Sequence, residues 1–281
     1  MHLPPPPATR SPLSRAVILA AGLGTRMRAH DDGAALTPEQ AAAADQGTKG
    51  MIPIGRPFLD YLLSAIADAG IAEVCLVVSP AHDAIRAHYT RGVSLRRLRV
   101  SFAEQARPIG TADAVLAARA FVGDDPFLVM NADNHYPAEV LRALAACDGA
   151  ALPAFERETL VRDGNIPPER IARYALLDVD DGGHLRRIVE KPDPATVAAM
   201  GEHAAVSMNC WRLTSEIMEA CRCVPPSARG EVELPNAVQW AIDQLGMRVR
   251  ALPTRAAVLD LSQRSDVPAV AARLAATTVT L

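Results

Sequence analysis

The feature that most narrows the fold is the alternation of short apolar runs with helix-like patterns through the first half of the chain. "RAVILA" (15–20) has the length and composition of a buried strand. "PFLDYLLSAIADAG" (57–70) carries apolar residues at helical spacing and closes on Gly70, a C-cap residue. "EVCLVVS" (73–79) reads as a second strand, "HDAIRAHY" as a short helix and "LRVSFAEQ" as a third strand. "TADAVLAARAFV" (111–122) predicts a helix with Thr111 as its N-cap, and "PFLVMNAD" (126–133) a fourth strand. This βαβα order predicts an α/β fold built on a doubly wound, mostly parallel sheet.

After residue 150 the pattern changes. "IARYALLDVDDGGHLRRIVEKP" predicts two strands around an Asp-Gly-Gly turn, and "AAVSMNCWRL" one more strand. "LPNAVQWAIDQLG" and "SDVPAVAARLAAT" are helical. The expectation is a Pro-rich flexible arm over 1–14 ("MHLPPPPATRSP" at its start) and a single domain over 15–281. Within that domain, 15–150 would bind one substrate and 151–281 would form a second lobe with the C-terminal helices.

Composition excludes several classes. The 281 residues carry a net charge of −3, which argues against a general nucleic-acid binder, so an anionic ligand needs local cations or a metal. Hydrophobic content is 49% but aromatic content only 4%, so the core must be aliphatic. The five cysteines, Cys75, Cys147, Cys210, Cys221 and Cys223, show no zinc spacing and read as free thiols of a reducing cytoplasm. The N-terminus lacks the apolar core of a signal peptide, and no run is long enough to span a membrane.

The loop after the first strand, "LAAGLGTRMR" (19–28), is the chemical focus. Gly22-Leu23-Gly24 is a weak motif alone: the third glycine of a dinucleotide fingerprint is replaced by Met27, and the P-loop's G-K-[ST] is absent. What remains is a set of backbone N–H donors, the Thr25 hydroxyl and the Arg26 guanidinium, a combination suited to phosphate oxygens.

The order of "LAAGLGTRM", "KGMIPIGRPFLDY", "EQARPIGTADAV", "MNAD", "VEKP", "AVSMNCW", "ARGEVEL" and "VLDLSQRSDV" resembles that of the sugar-1-phosphate nucleotidyltransferases, the nucleoside-diphosphate-sugar pyrophosphorylases. The resemblance covers nearly the whole chain after residue 14. It implies a Rossmann-like domain with a sugar-binding lobe in its second half. It further implies a Mg²⁺-dependent enzyme that joins an NTP to a sugar 1-phosphate and releases pyrophosphate. Arg26 and Lys49 would be the catalytic cations. Leu19, Ala21, Gly22, Gly24, Thr25, Gln105, Gly110 and Thr111 would bind the nucleotide. Glu190, Lys191 and Asn209 would meet the sugar phosphate, and Asp133 and Asp260 would hold the metal. Asp113 could help position substrate, and one of Glu231 and Glu233 could meet the sugar.

The chain departs from the family pattern in two places. Thr48 stands where the family usually has proline before the lysine, and "RAHDDGAALTPEQAAAADQG" lengthens the phosphate loop. Within that insertion Thr37 and Gln40 form a capping box with Pro38 at N1, predicting a short added helix near the nucleotide, read as a lid. Asn209 falls where many relatives have glycine. The step from Gln105 to Gly110 resembles uridylyl- and thymidylyltransferases, whereas "GTADAV" also resembles adenylyltransferases. Base choice therefore stays open, with UTP or dTTP favoured over adenylyl, guanylyl or cytidylyl transfer. A non-catalytic nucleotide-sugar-binding paralogue and a Rossmann oxidoreductase are the competing classes. The expected partners are the NTP and the sugar 1-phosphate, without nucleic acid or membrane, and with homo-oligomerisation left open. The end of the chain soon after "AARLAAT" sets the expectation that no β-helical acetyltransferase domain follows.

Overall fold

In a computed structural model, the protein is described for residues 13–281, with 30, 32 and 202 excepted. Most of the expected arm therefore lies outside the described residues. Its last two positions do not behave as an arm. Leu13 is buried in the core, and the Ser14 carbonyl accepts from the Glu73 N–H.

Ten strands form one mixed sheet. In chain order they are β1 (Arg15–Leu19), β2 (Glu73–Val78), β3 (Arg99–Glu104), β4 (Phe127–Asn131), then, after the small strand β5 (Asn134–His135), β6 (Ala150–Phe155), β7 (Ala175–Val179), β8 (Leu185–Val189), β9 (Ala205–Ser207), β10 (Cys210–Leu213) and β11 (Val249–Thr254). The spatial order is β3-β2-β1-β4-β10-β6-β9-β7-β8, with β11 also paired to β6. β3, β2, β1 and β4 are parallel, each crossover being carried by helices. β10 enters antiparallel between β4 and β6, β11 joins β6 in parallel, and the β7–β8 hairpin is tied on through β9. The result is the expected α/β sheet, with most strands running one way.

Period-two alternation explains why the sheet is covered on both faces. In β1, Ala16 and Ile18 face a core shared with Leu59, Leu62, Leu63 and Ile66 of the helix Phe58–Asp68. Val17 faces a second core built with Val115, Ile217 and Val238 from helices Thr111–Ala117, Ile217–Cys223 and Leu234–Leu245. Both are mainly aliphatic, and each fully buried Leu, Ile or Val contributes about 1.5–3 kcal/mol. A third core lies outside the sheet, where Met27, Ala44, Ile52 and Phe58 meet Leu261, Val267 and Val270.

Three local readings need correction. Thr111 is not the N-cap of its helix. Gly110 is, and the Thr111 hydroxyl instead accepts from the Leu234 N–H at 2.8 Å. That helix breaks after Ala117 and resumes at Arg119–Val122. "AAVSMNCWRL" is two strands, because Asn209 takes a left-handed φ of 55° between β9 and β10. The hairpin at Asp181-Gly182-Gly183 and the capping box at Thr37 and Gln40 form as expected.

Candidate active site

Parallel sheets expose loops, and hence ligands, at the carboxyl ends of their strands. Here the register pairs Leu19 with Asn131 and Val77, so β1, β2 and β4 end at one rim. A cavity of about 430 Å³ opens above it. All but Asp113 of the residues singled out from the sequence line it: Leu19, Ala21, Gly22, Gly24, Thr25 and Arg26 from the first loop; Lys49; Gln105, Gly110 and Thr111; Asp133; Glu190 and Lys191; Asn209; Glu231 and Glu233; and Asp260.

The first loop is held from behind. The Ala20 N–H donates to the Val77 carbonyl, and the buried His82 donates from Nδ1 to the Ala20 carbonyl at 2.9 Å. Burial pushes the His82 pKa down, keeping the ring neutral in that role. Gly24 has φ 62°, and a Cβ there would sit 2.0 Å from the carbonyl oxygen of Gly47. Only glycine permits this approach between the loop and the inserted segment. The inserted helix Pro38–Gln46 is fastened at both ends. Gln40 donates to the Pro53 carbonyl, Arg28 donates to the Gln46 carbonyl, and Arg264 joins Asp45 to the Ala29 carbonyl. With Ala44 buried against Met27, the insertion is packed against the first loop.

Lys49 opens the turn that follows, and its ammonium lies 2.7 Å from Asp133. Asp133 and Asp260 meet through a device absent from the main sheet. β5 pairs antiparallel with β12 (Leu259–Asp260), placing Asp260 opposite Asn134, and the Leu261 N–H donates to the Asp133 carbonyl. Asp260 is buried, and both of its carboxylate oxygens are engaged. Arg170 and Tyr174 donate to Oδ2, while Asn134 and Ser262 donate to Oδ1. Burial and the neighbouring charge of Asp133 raise its pKa against the opposing pull of Arg170. Arg170 itself is buried and also binds Asp266; burial opposes its charge, but Asp260, Tyr174 and Asp266 together outweigh that and hold its pKa up. No group of three or more His, Cys, Asp or Glu side chains gathers to hold a metal among the described residues.

The far wall is charged in both senses. Burial raises the Glu190 pKa, with Arg229 opposing. Lys191 sits at φ 48°, and its ammonium stands 3.7 Å from Glu190 and 3.9 Å from Glu233. Glu233 is buried and paired with Arg229, whereas Glu231 is exposed and 3.5 Å from Arg229. Asn209, the other non-glycine at positive φ among the described residues, also lines the cavity. Two such strained residues on one wall are a mark of a functional surface.

The sequence reading missed Arg170, Arg173, Tyr174 and Arg229, all of which line the cavity. The Pro167-Pro168 pair was the available signal: proline at N1 starts the short helix Pro168–Ile171, whose last residue opens the segment that the sequence suggested as a strand.

A profile of the nucleotidyl transferases matches residues 15–266. The chain belongs to the nucleotidyl transferase family. It is 32% identical over 231 residues to the glucose-1-phosphate thymidylyltransferase of Streptomyces griseus, covering 82% of this chain and 57% of that relative. The chain thus spans little more than half the length of this relative. It is 26% identical over 262 residues to the UTP–glucose-1-phosphate uridylyltransferase of Komagataeibacter xylinus, covering 82% and 84% of the two chains. A UDP-glucose pyrophosphorylase crystallised with UDP-glucose superposes with a TM-score of 0.74 at 17% identity, over 95% of this chain and all of that one. That likeness establishes the shared fold. No helix among the described residues is long and apolar enough to cross a membrane.

Proposed function

We propose that the protein is an enzyme that transfers a nucleotidyl group from UTP or dTTP to a sugar 1-phosphate and releases pyrophosphate. In this reading, 15–150 binds the nucleotide and 151–281 the sugar phosphate. The observation that carries it is one cavity in which cations from both halves converge: Arg26 and Lys49 on one side, Arg173, Lys191 and Arg229 on the other. Two polyanions must meet for this reaction, so charge neutralisation and alignment are the main demands on the protein.

A sugar-phosphate oxygen attacks the α-phosphorus, a new P–O bond forms, and the bond to pyrophosphate breaks with its electron pair on the leaving group. Backbone donors of residues 21–25 and the exposed Arg26 would bind the triphosphate and take up the charge of the departing pyrophosphate. Lys49 would move from Asp133 to the α-phosphate. Lys191 would hold the sugar phosphate, and Glu190 and Asn209 would bind sugar hydroxyls. Gln105 and Gly110 would meet the base.

The residues fit a hard divalent cation. Asp133 and Asp260 supply oxygen donors to one cavity, where burial and then the Asp133 charge raise the Asp260 pKa. Magnesium commonly takes one or two carboxylates and completes its shell with phosphates and water. When bound, it would supply positive charge to the phosphoryl oxygens. In the structure Lys49 and Arg170 neutralise these carboxylates.

The test is pyrophosphate release from UTP, dTTP, CTP, ATP and GTP with a panel of sugar 1-phosphates and magnesium. Release with UTP or dTTP and a sugar 1-phosphate is expected. Binding without turnover across the panel would favour the regulatory paralogue, and a preference for ATP or GTP would refute the base assignment.

A further inference from the structure

Gln105 is buried, and both protons of its amide nitrogen are engaged. Nε2 donates to the Gly110 carbonyl at 2.8 Å and to Oδ2 of Asp113 at 2.8 Å. A carbonyl oxygen can only accept, so the NH₂ end must face Gly110, and the network itself orients the amide. Oε1 accepts from no group among the described residues, while Gln105 lines the cavity. The cavity therefore sees the acceptor end. Gly110 also lines it, and the Gly110 N–H has no acceptor among the described residues. Its position is fixed by Val232. The Val232 N–H donates to the Ile109 carbonyl, the Ala112 N–H donates to the Val232 carbonyl, and a Cβ on Gly110 would lie 2.2 Å from that carbonyl oxygen.

We propose that Asp113 is a positioning residue for base choice: it locks the Gln105 amide with its oxygen toward the cavity, so that the site accepts a keto pyrimidine and rejects cytosine. The proposal rests on the nucleotide-site reading above. Uracil and thymine present a ring N–H beside a carbonyl, which matches an acceptor at Gln105 and a donor at Gly110. Cytosine presents a ring acceptor beside an exocyclic amine, so like faces like at both points. Asp113 lies on the first turn of its helix and does not itself line the cavity, so it acts through Gln105. In Asp113→Ala only the Gly110 carbonyl still favours this orientation, so the NH₂ end turns to the base more readily, whereas the amide oxygen of Asp113→Asn can still accept from Nε2.

The experiment is calorimetric binding of UTP and of CTP, without sugar phosphate, to the parent, Asp113→Asn and Asp113→Ala. The parent should bind UTP tighter than CTP by about tenfold to a hundredfold, as expected for mismatched buried polar groups. Asp113→Ala should lose on the order of tenfold of that ratio, mainly through weaker UTP binding, with an unchanged melting temperature, and Asp113→Asn, which keeps an acceptor oxygen, should lose less. A merely structural role would weaken both nucleotides alike and leave the ratio intact; that result overturns the proposal, as does a parent that binds both nucleotides equally or neither. Because the readout is binding, selective UTP binding that relaxes in the variants supports the proposal even if no pyrophosphate is released, whereas absent turnover counts only against the transferase reading.

Discussion

Replacing Arg170 by methionine isolates the energetic logic of the site. Methionine keeps much of the side chain's volume but removes a buried cation that joins Asp260 and Asp266. Two buried carboxylates then lose their common partner, with Asp133 still nearby. Removing one member of a buried ion pair costs about 3–5 kcal/mol, because the remaining charge is desolvated and unpaired. For a chain of this size each kcal/mol moves the melting temperature by about 2–4 °C, so a drop of roughly 6–20 °C is expected at pH 8. The pH dependence carries the sharper signature. Asp260 has a raised pKa in the fold, from burial and then Asp133, and Arg170 opposes the rise. A folded carboxylate with a raised pKa binds more protons than its unfolded counterpart. Its destabilising effect is therefore absent below the ordinary Asp range and grows as pH rises through the folded value. Without Arg170 that value climbs further, so the deficit of Arg170→Met should shrink as pH falls from 8 towards 5. Thermal melts of both proteins across that range provide the assay. A deficit of the same size at both pH values, or none at all, would refute the electrostatic account.

Gly24→Ala should disturb the phosphate loop, since left-handed backbone costs alanine about 1–2 kcal/mol and its Cβ meets the Gly47 carbonyl; the expected rise in NTP KM, on the order of tenfold or more, is read by steady-state kinetics. Lys191→Ala should weaken the sugar phosphate more than the nucleotide, by about 1.5–3 kcal/mol in kcat/KM; a rise confined to the nucleotide KM would reassign the residue. Glu190 has a raised pKa from burial, so the carboxylate is lost as pH falls through a value above the usual Glu range. The acid limb of kcat/KM for the sugar phosphate should therefore sit high and flatten in Glu190→Gln, which a pH–rate profile checks. Hydrogen exchange should find the helix Pro38–Gln46 protected before nucleotide is added; free exchange there would support the lid reading.

Local signals made much of this protein legible as sequence. Short apolar runs of strand length marked β1 to β4, and the Thr37/Gln40 box marked the added helix, because each depends on neighbours within a few residues. The loop 19–26 could be read as a candidate anion site for the same reason: its donors are its own backbone and side chains. The polar state of the site was not local. Asp133 and Asp260 were visible as carboxylates after apolar runs, but only the β5–β12 ladder puts Asp260 opposite Asn134 and fastens Leu261 to Asp133. Only folding buries Arg170 against Asp260 and Asp266, some 90 and 96 positions away. Thr111 looked like a cap, yet its hydroxyl serves Leu234, and Asn209 looked like mid-strand, yet its backbone is left-handed. Sequence determines a residue's propensity and its donors and acceptors; tertiary structure decides which partner is within 3 Å, and the fall of electrostatic and hydrogen-bond energies with distance and burial makes that choice the one that governs charge.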